Sequence, residues 1–261
     1  MELGLAGRLA VVTGASKGIG LAVTRTLARE GVRVIAGARG SSLELDALAA
    51  DGSVHPVAVD LSTPDGPAAL VAAALELGSV DILVNNVGAV TPRVDGFLAV
   101  TDEQWLTTLN LGFLAAVRAT RAVLGPMLAA GGGSIVTISS VNAFLPDPTV
   151  IDYSATKAAL TNFSKSLSKE FGPRGVRLNT VSPGPVATDL WLGSDGVAAQ
   201  VGRASGSDPS AISSAAAGQS VTGRFTRPQE IAELVALLAS DVVGNVTGAD
   251  FVIDGGLTTQ T

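Results

Sequence analysis

The chain comprises 261 residues, 47% of them hydrophobic and 15% charged, with a formal net charge of −6. That length and apolar content suit one large domain with a substantial core, and the acidic balance argues against nucleic acid or an anionic membrane as a partner. Cysteine is absent and histidine occurs once, which excludes disulfides, thiolate metal sites and histidine clusters, so no metal is expected.

The N-terminal segment carries Glu2 and enters a strand-like run at once, without the basic-then-apolar order of a secretion signal. No uncharged apolar run reaches the roughly 18 residues needed to cross a membrane, so a soluble cytoplasmic protein is expected. Strand-like runs follow at Leu9–Thr13, Val32–Gly37, Val54–Val59, Ile82–Asn85, Ser134–Ser139, Arg177–Val181 and Phe251–Ile253. Helix-like stretches lie near Gly18–Glu30, Leu43–Ala50, Ala68–Leu77, Asp102–Leu124, Tyr153–Phe171 and Pro228–Ala239. His55, before Pro56 in a loop-to-strand segment, reads as a solvated structural residue. Continuous apolar strands separated by helices predict a parallel sheet covered on both faces. No repeat or Ser/Gly linker divides the chain, so residues 1–261 read as one domain. From Thr188 to Thr222 the composition turns to Ala, Ser and Gly, and so long a break predicts a lid or a disordered loop.

After the first strand comes TGASKGIG, Thr13–Gly20. Its glycines let the backbone turn tightly, approach a ligand and pack the next helix closely. A helix beginning near Gly18 directs free N–H groups toward an anion; the alternative is a tight turn holding nothing. Further on, Tyr153 is the only tyrosine and Lys157 stands one helical turn beyond it, on the same helix face. The pair is either a packed phenol beside a solvated lysine or an acid/base couple.

The T-G-x-x-x-G-x-G order resembles the classical short-chain dehydrogenase/reductase family. The resemblance continues through NNVG at Asn85–Gly88, with Val87 where the family has alanine, ISS at Ile138–Ser140, the Tyr153/Lys157 pair, NTVSPGPVAT at Asn179–Thr188 and FVIDGG at Phe251–Gly256. It covers nearly the whole chain. It implies a single-domain, doubly wound Rossmann fold with a seven-stranded parallel sheet in the order 3-2-1-4-5-6-7. It also implies an oxidoreductase in which Tyr153 is the general acid/base, Ser140 steadies the substrate oxygen, Lys157 acts on both the phenol and the nicotinamide ribose, and Asn110 holds a water leading to solvent. A free phenol titrates near about 10, and a nearby cation is expected to favour its ionised form. Ser139 reads as the structural neighbour of Ser140.

By the same resemblance the coenzyme would meet Gly14, Ser16, Lys17, Gly18, Ile19 and Gly20 in the first turn. Asn86 and Gly88 would line the nicotinamide side, and Pro183, Gly184, Val186 and Thr188 would complete it beside Tyr153 and Lys157. Asp60, with Leu61, either contacts adenine or caps its own loop. Ala38 occupies the apparent position of the acidic residue that bonds a ribose 2′-hydroxyl in NAD enzymes. Arg39 follows it and Lys17 lies in the turn, two cations suited to a 2′-phosphate. NADP(H) is therefore expected over NAD(H).

Val141, Asn142, Phe144, Leu145, Trp191 and Leu192, with Gly88–Val90, outline a largely apolar substrate cleft, although Trp191 equally suits anchoring the loop. With no charged clamp in view, a neutral or apolar ketone or secondary alcohol is the expected substrate. A 3-oxoacyl-(acyl-carrier-protein) reductase is the alternative. Against it, Leu128–Ser134 lacks the basic residues that would meet an acidic carrier, although Arg174 remains. A non-catalytic NADP-binding regulatory protein is disfavoured because Ser140, Tyr153, Lys157 and Asn110 are all retained, and an epimerase or dehydratase of the same fold stays open. The resemblance also implies a homotetramer or homodimer. Leu160, Phe163, Leu167 and Phe171 are then either interface or core.

Overall fold

The computed structural model describes residues 2–259. The elements, in chain order, are β1 (Leu9–Thr13), α1 (Gly18–Arg29), β2 (Arg33–Ala38), α2 (Leu43–Ala49), β3 (Val54–Ala58), α3 (Gly66–Leu75), β4 (Ile82–Asn85), α4 (Asp102–Leu109), α5 (Ala115–Ala129), β5 (Gly133–Ile138), α6 (Ile151–Phe171), β6 (Val176–Pro183), α7 (Asp189–Leu192), α8 (Val197–Ser205), α9 (Pro209–Gly218), α10 (Pro228–Ala239) and β7 (Asp250–Ile253). Seven strands form one sheet in the order β3-β2-β1-β4-β5-β6-β7, and every pairing is parallel.

All five residues of β1 and all four of β4 are buried, as strands covered on both faces must be. Their side chains feed two cores. Val12, Val34, Val84 and Val136 meet Val23 and Leu27 of α1 and Ile231 and Val235 of α10. Val11, Ile35, Leu83 and Ile135 meet Leu70 and Val71 of α3 and Ala119 and Val123 of α5. Successive strand residues thus serve opposite faces, as the period of two requires. The order reverses direction at β1 and β4, which opens a crevice at their carboxyl ends. The glycine turn and the NNVG segment border that crevice from its two sides.

Three expectations change. The helix expected over Asp102–Leu124 is interrupted by a π-helical turn at Asn110–Leu114 between α4 and α5. Inserted turns of this kind bend a helix and commonly mark functional sites. Within it, a Cβ on Gly112 would lie 2.7 Å from Thr156 Cγ2, so the missing side chain lets α6 approach closely. Second, Thr188–Thr222 is not a long irregular loop: it holds α7, α8 and α9. The alanines of this stretch are good helix formers. The boundary signals are local, with Gly206 left-handed at the end of α8 and Asp208 capping Ser210 N ahead of Pro209. Third, His55 lies inside β3, within the predicted strand run, opposite Ile35, and is half-buried rather than solvated.

The helical stretch Asp102–Ala129 is long and apolar enough to cross a membrane by composition alone. It carries Arg118 and Arg121, and its Ala115, Ala119, Val123 and Met127 are buried in the core shared with α3 and the sheet. On α6, Leu160 is buried, Leu167 and Phe171 pack on that same core, and Phe163 makes an edge-to-face contact with Phe113 at 5.7 Å. Leu160 is therefore core, while Phe163, Leu167 and Phe171 remain half-buried on the surface of α6.

Candidate active site

The glycine turn has geometric reasons for each of its glycines. Gly14 has φ +70° and Gly18 φ +57°, both in the left-handed region. A Cβ on Gly20 would lie 2.1 Å from Gly14 O, so α1 can start against the turn only without one. Asn86 Nδ2 donates to Thr13 O at 2.8 Å and to Gly14 O at 3.1 Å, which ties the β4 side of the crevice to the turn. Thr13 Oγ1 accepts from Asn86 N and Val87 N at 2.9 and 3.1 Å. No sequence pattern announces this latch, although Thr13 opens the TGASKGIG motif. Lys17 is exposed at the N-cap of α1, and Ser16 and Ile19 are half-buried beside it.

Around the crevice, Arg39 is exposed just beyond the end of β2, where Ala38 is buried. Asp60 is exposed and Leu61 buried; Asp60 Oδ1 accepts from Ser62 N and Ser62 Oγ at 2.9 and 2.7 Å, a loop cap. Those two bonds hold its carboxyl below the usual range, with a smaller contribution from the Arg39 charge. Past β6, Gly184 packs so closely on Asp254 that a Cβ would lie 3.0 Å from its Cα, and Val186 bridges to Thr226. Thr188 precedes α7, with its Cγ2 3.3 Å from the position of a Gly18 Cβ. A cavity of about 350 Å³ opens among Gly18, Arg25, Thr188, Asp189, Arg227 and Gln229. It borders the glycine turn and is not lined by Tyr153.

At the other end of the crevice, Ser140, Tyr153 and Lys157 come together. Lys157 is 3% exposed, and its Nζ donates to Ile138 O at 2.7 Å and sits 5.6 Å from the Tyr153 ring centroid. A Cβ on Gly88 would be 3.8 Å from the same Nζ. Burial pulls the Lys157 ammonium down to about 8. Burial of its hydroxyl pushes the Tyr153 phenol up, although the residue as a whole keeps some solvent access, and the Ser140 side chain pulls it back only in part. The lowering expected from a nearby Lys157 is not realised in the folded chain, where desolvation of the phenol dominates. Ser140 Oγ donates to Asn142 Oδ1 at 3.1 Å and accepts from Asn142 N at 3.2 Å. Ser139 Oγ instead bonds Thr161 Oγ1 at 2.7 Å and Lys157 O at 3.3 Å, a purely structural role. Asn110 opens the π turn, and its Oδ1 accepts from Arg118 at 3.4 Å.

Of the substrate-side residues, Val141 is buried, Asn142 half-buried, and Phe144, Leu145 and Leu192 are exposed. Trp191 stacks at a tilt on Phe225, with ring centroids 5.4 Å apart, so it anchors the segment. Sequence reasoning also missed Arg93, Thr108 and Asp152, which meet beside Tyr153. No motif flags them, because they lie far apart in the chain. Burial pushes the Asp152 carboxyl up, but bonds from Arg93 and Thr108 and the Arg93 charge outweigh it and hold it below its usual range.

The family model described as enoyl-(acyl carrier protein) reductase matches residues 14–258. An uncharacterized oxidoreductase, YvrD, of Bacillus subtilis is 33% identical, with 98% of each chain covered. The 3-oxoacyl-[acyl-carrier-protein] reductase FabG of Escherichia coli is 34% identical, over 96% of this chain and 97% of that one. Among solved structures, L-sorbose reductase from Gluconobacter frateurii, complexed with NADPH and L-sorbose, superposes with a TM-score of 0.90 at 32% identity, with both chains fully covered. With the ordered motifs, the strand order and these matches over the whole length, the chain belongs to the classical short-chain dehydrogenase/reductase family of oxidoreductases.

Proposed function

We propose that this protein is an NADP(H)-dependent oxidoreductase that interconverts a ketone and a secondary alcohol on a neutral or apolar substrate. The observation that carries the reading is the buried Lys157 ammonium, 5.6 Å from the ring of the chain's only tyrosine, with Ser140 beside the phenol. The glycine turn fits a dinucleotide: Gly14 and Gly18 adopt conformations that disfavour side chains, and Gly20 has no room for one. When bound, the nicotinamide coenzyme supplies or accepts the hydride.

The chain's own residues do the rest. Ser140 donates a hydrogen bond to the carbonyl oxygen of the substrate, exchanging its bond to Asn142 for one to the developing charge. Tyr153 delivers the proton to that oxygen in reduction and withdraws it in oxidation. Lys157, held by Ile138 O, keeps positive charge beside the phenol and would hold the ribose of a bound coenzyme. Asn110 lends its amide to a water path out of the site. Arg39 and Lys17, both exposed with no acidic residue at position 38, favour a coenzyme carrying a 2′-phosphate, and the L-sorbose reductase neighbour was crystallised with NADPH. The exposed Phe144, Leu145 and Leu192 favour apolar groups on the substrate. Residues 188–222 serve as a lid over it, and a homotetramer or homodimer in the cytoplasm is the proposed setting.

NADPH oxidation with a panel of ketones tests the reading. Tyr153→Phe is expected to cut kcat about 100-fold or more, and unchanged turnover would refute it. A second substrate class, an acyl-carrier-linked ketone, is favoured by the 34% identity to the Escherichia coli reductase. Turnover of acetoacetyl carrier far above that of simple ketones would select it.

A further inference from the structure

Next to the site lies a buried ion pair to which the proposed chemistry assigns no role. Arg93 belongs to the segment that follows β4, and Asp152 is the residue before Tyr153 in the first turn of α6. The Arg93 side chain is 10% exposed and that of Asp152 2%. Arg93 Nε donates to Asp152 Oδ2 at 3.1 Å, and its Nη2 makes a shorter bond to the same oxygen. Thr108 Oγ1, from α4, donates to that oxygen at 2.7 Å, while Asp152 Oδ1 accepts the Tyr153 backbone N–H at 3.0 Å. A backbone bond from Arg93 N to Thr149 O, 2.6 Å, closes the same joint. The carboxylate is thus engaged by three chain segments, one of which runs into Tyr153 and another, two residues beyond Thr108, into Asn110.

Two desolvated charges are costly to bury for stability alone, and well-packed apolar residues often serve as well. Charge-assisted bonds from a planar guanidinium do fix geometry tightly. The segment that Arg93 anchors carries exposed apolar residues, Val94, Phe97 and Leu98. The ion pair and the Arg93 N–Thr149 O bond tie it to the body beside the site.

We infer that Arg93 is a positioning residue: through Asp152 and Thr108 it locks the segment after β4, the Asn110 turn and the first turn of α6 into one unit that aims the Tyr153 hydroxyl. The inference rests on the acid/base reading of Tyr153 given above.

The test uses Arg93→Met/Asp152→Asn in the full chain, which removes both charges and leaves neither orphaned. Because Tyr153 is the only tyrosine, protein labelled with tyrosine carrying carbon-13 at Cζ gives one ring signal, which reports the phenol with or without substrate. In the double variant that signal is expected to shift and broaden relative to wild type. The kcat is expected to fall about ten- to a hundred-fold, with the Kd for NADPH held within about two-fold. Arg93→Lys, which keeps the charge and loses the fork, should recover part of the kcat. A wild-type tyrosine signal in the double variant, or a wild-type kcat, overturns the inference. If the double variant does not fold, Thr108→Val, which deletes one bond to the same oxygen, must shift the signal in the same direction by a smaller amount, and no shift overturns the inference. Wild-type turnover that is lost in Tyr153→Phe but kept in the double variant would remove the clamp and spare the oxidoreductase reading. Absence of wild-type turnover would strike that reading, with the tyrosine signal still deciding the clamp.

Discussion

Lys157 offers a measurement in which the physical argument and the proposed chemistry meet. In the folded chain its ammonium titrates at about 8, against 10.5 for an ordinary lysine, because burial withdraws it from water. Below about 8 the folded protein carries a buried cation at a solvation cost. Between about 8 and 10.5 the unfolded chain keeps its proton while the folded one releases it. The unfolded state then binds more protons, so the contribution of this residue to stability rises with pH across that window. At about 1.4 kcal/mol per pH unit, the interval from 10.5 down to about 8 corresponds to about 3 kcal/mol. Urea unfolding followed by tryptophan fluorescence, at a series of pH values without added coenzyme, reads this directly. Other groups titrate as well, so the quantity of interest is the unfolding free energy of wild type minus that of Lys157→Met. That difference should climb by about 3 kcal/mol between neutral pH and pH 10.5, and most steeply above about 8. Parallel stability profiles for the two proteins would show that the ammonium is not buried as described, and the electrostatic part of the proposed mechanism would lose its basis. Because the phenol is itself pushed upward, turnover should also decline as pH passes the point where Lys157 loses its charge.

Gly20→Ala would place a methyl 2.1 Å from Gly14 O and 2.5 Å from Asn86 Nδ2, so the turn or α1 must move. A loss of about 1–3 kcal/mol is expected, together with a clearly weaker Kd for NADPH by fluorescence titration. Gly125→Ala on α5, where nothing lies within 4 Å of the new methyl, should instead gain up to about 1 kcal/mol through helix propensity. Equal effects of the two changes would contradict the packing described. Ala38→Asp combined with Arg39→Ser should raise the ratio of kcat/KM for NADH over NADPH by about ten-fold or more, because a 2′-phosphate contact is replaced by a carboxylate suited to a 2′-hydroxyl. A wild type that already prefers NADH would defeat that assignment.

The sequence alone determined the order and kind of the elements. Runs such as Leu9–Thr13 and Ile82–Asn85 are bounded by turn residues and apolar up to their last residue, and a short strand buried on both faces leaves little other choice. It also named Ser140, Tyr153 and Lys157, since Tyr153 and Lys157 share one helix face by spacing and the motif order carries the rest. What it left open depended on contacts between distant segments. The π turn at Asn110 exists where α6 closes on Gly112, a contact that no local pattern announces. That Leu160 is buried while Phe163, Leu167 and Phe171 are only half-buried followed from what α6 faces. The titration of Lys157 and Tyr153 depended on how much water the fold excludes, which is a property of the packed molecule. The meeting of Arg93, Thr108 and Asp152 has the same origin: short-range signals are written residue by residue, whereas a buried charge finds its partner only when the chain has folded around it.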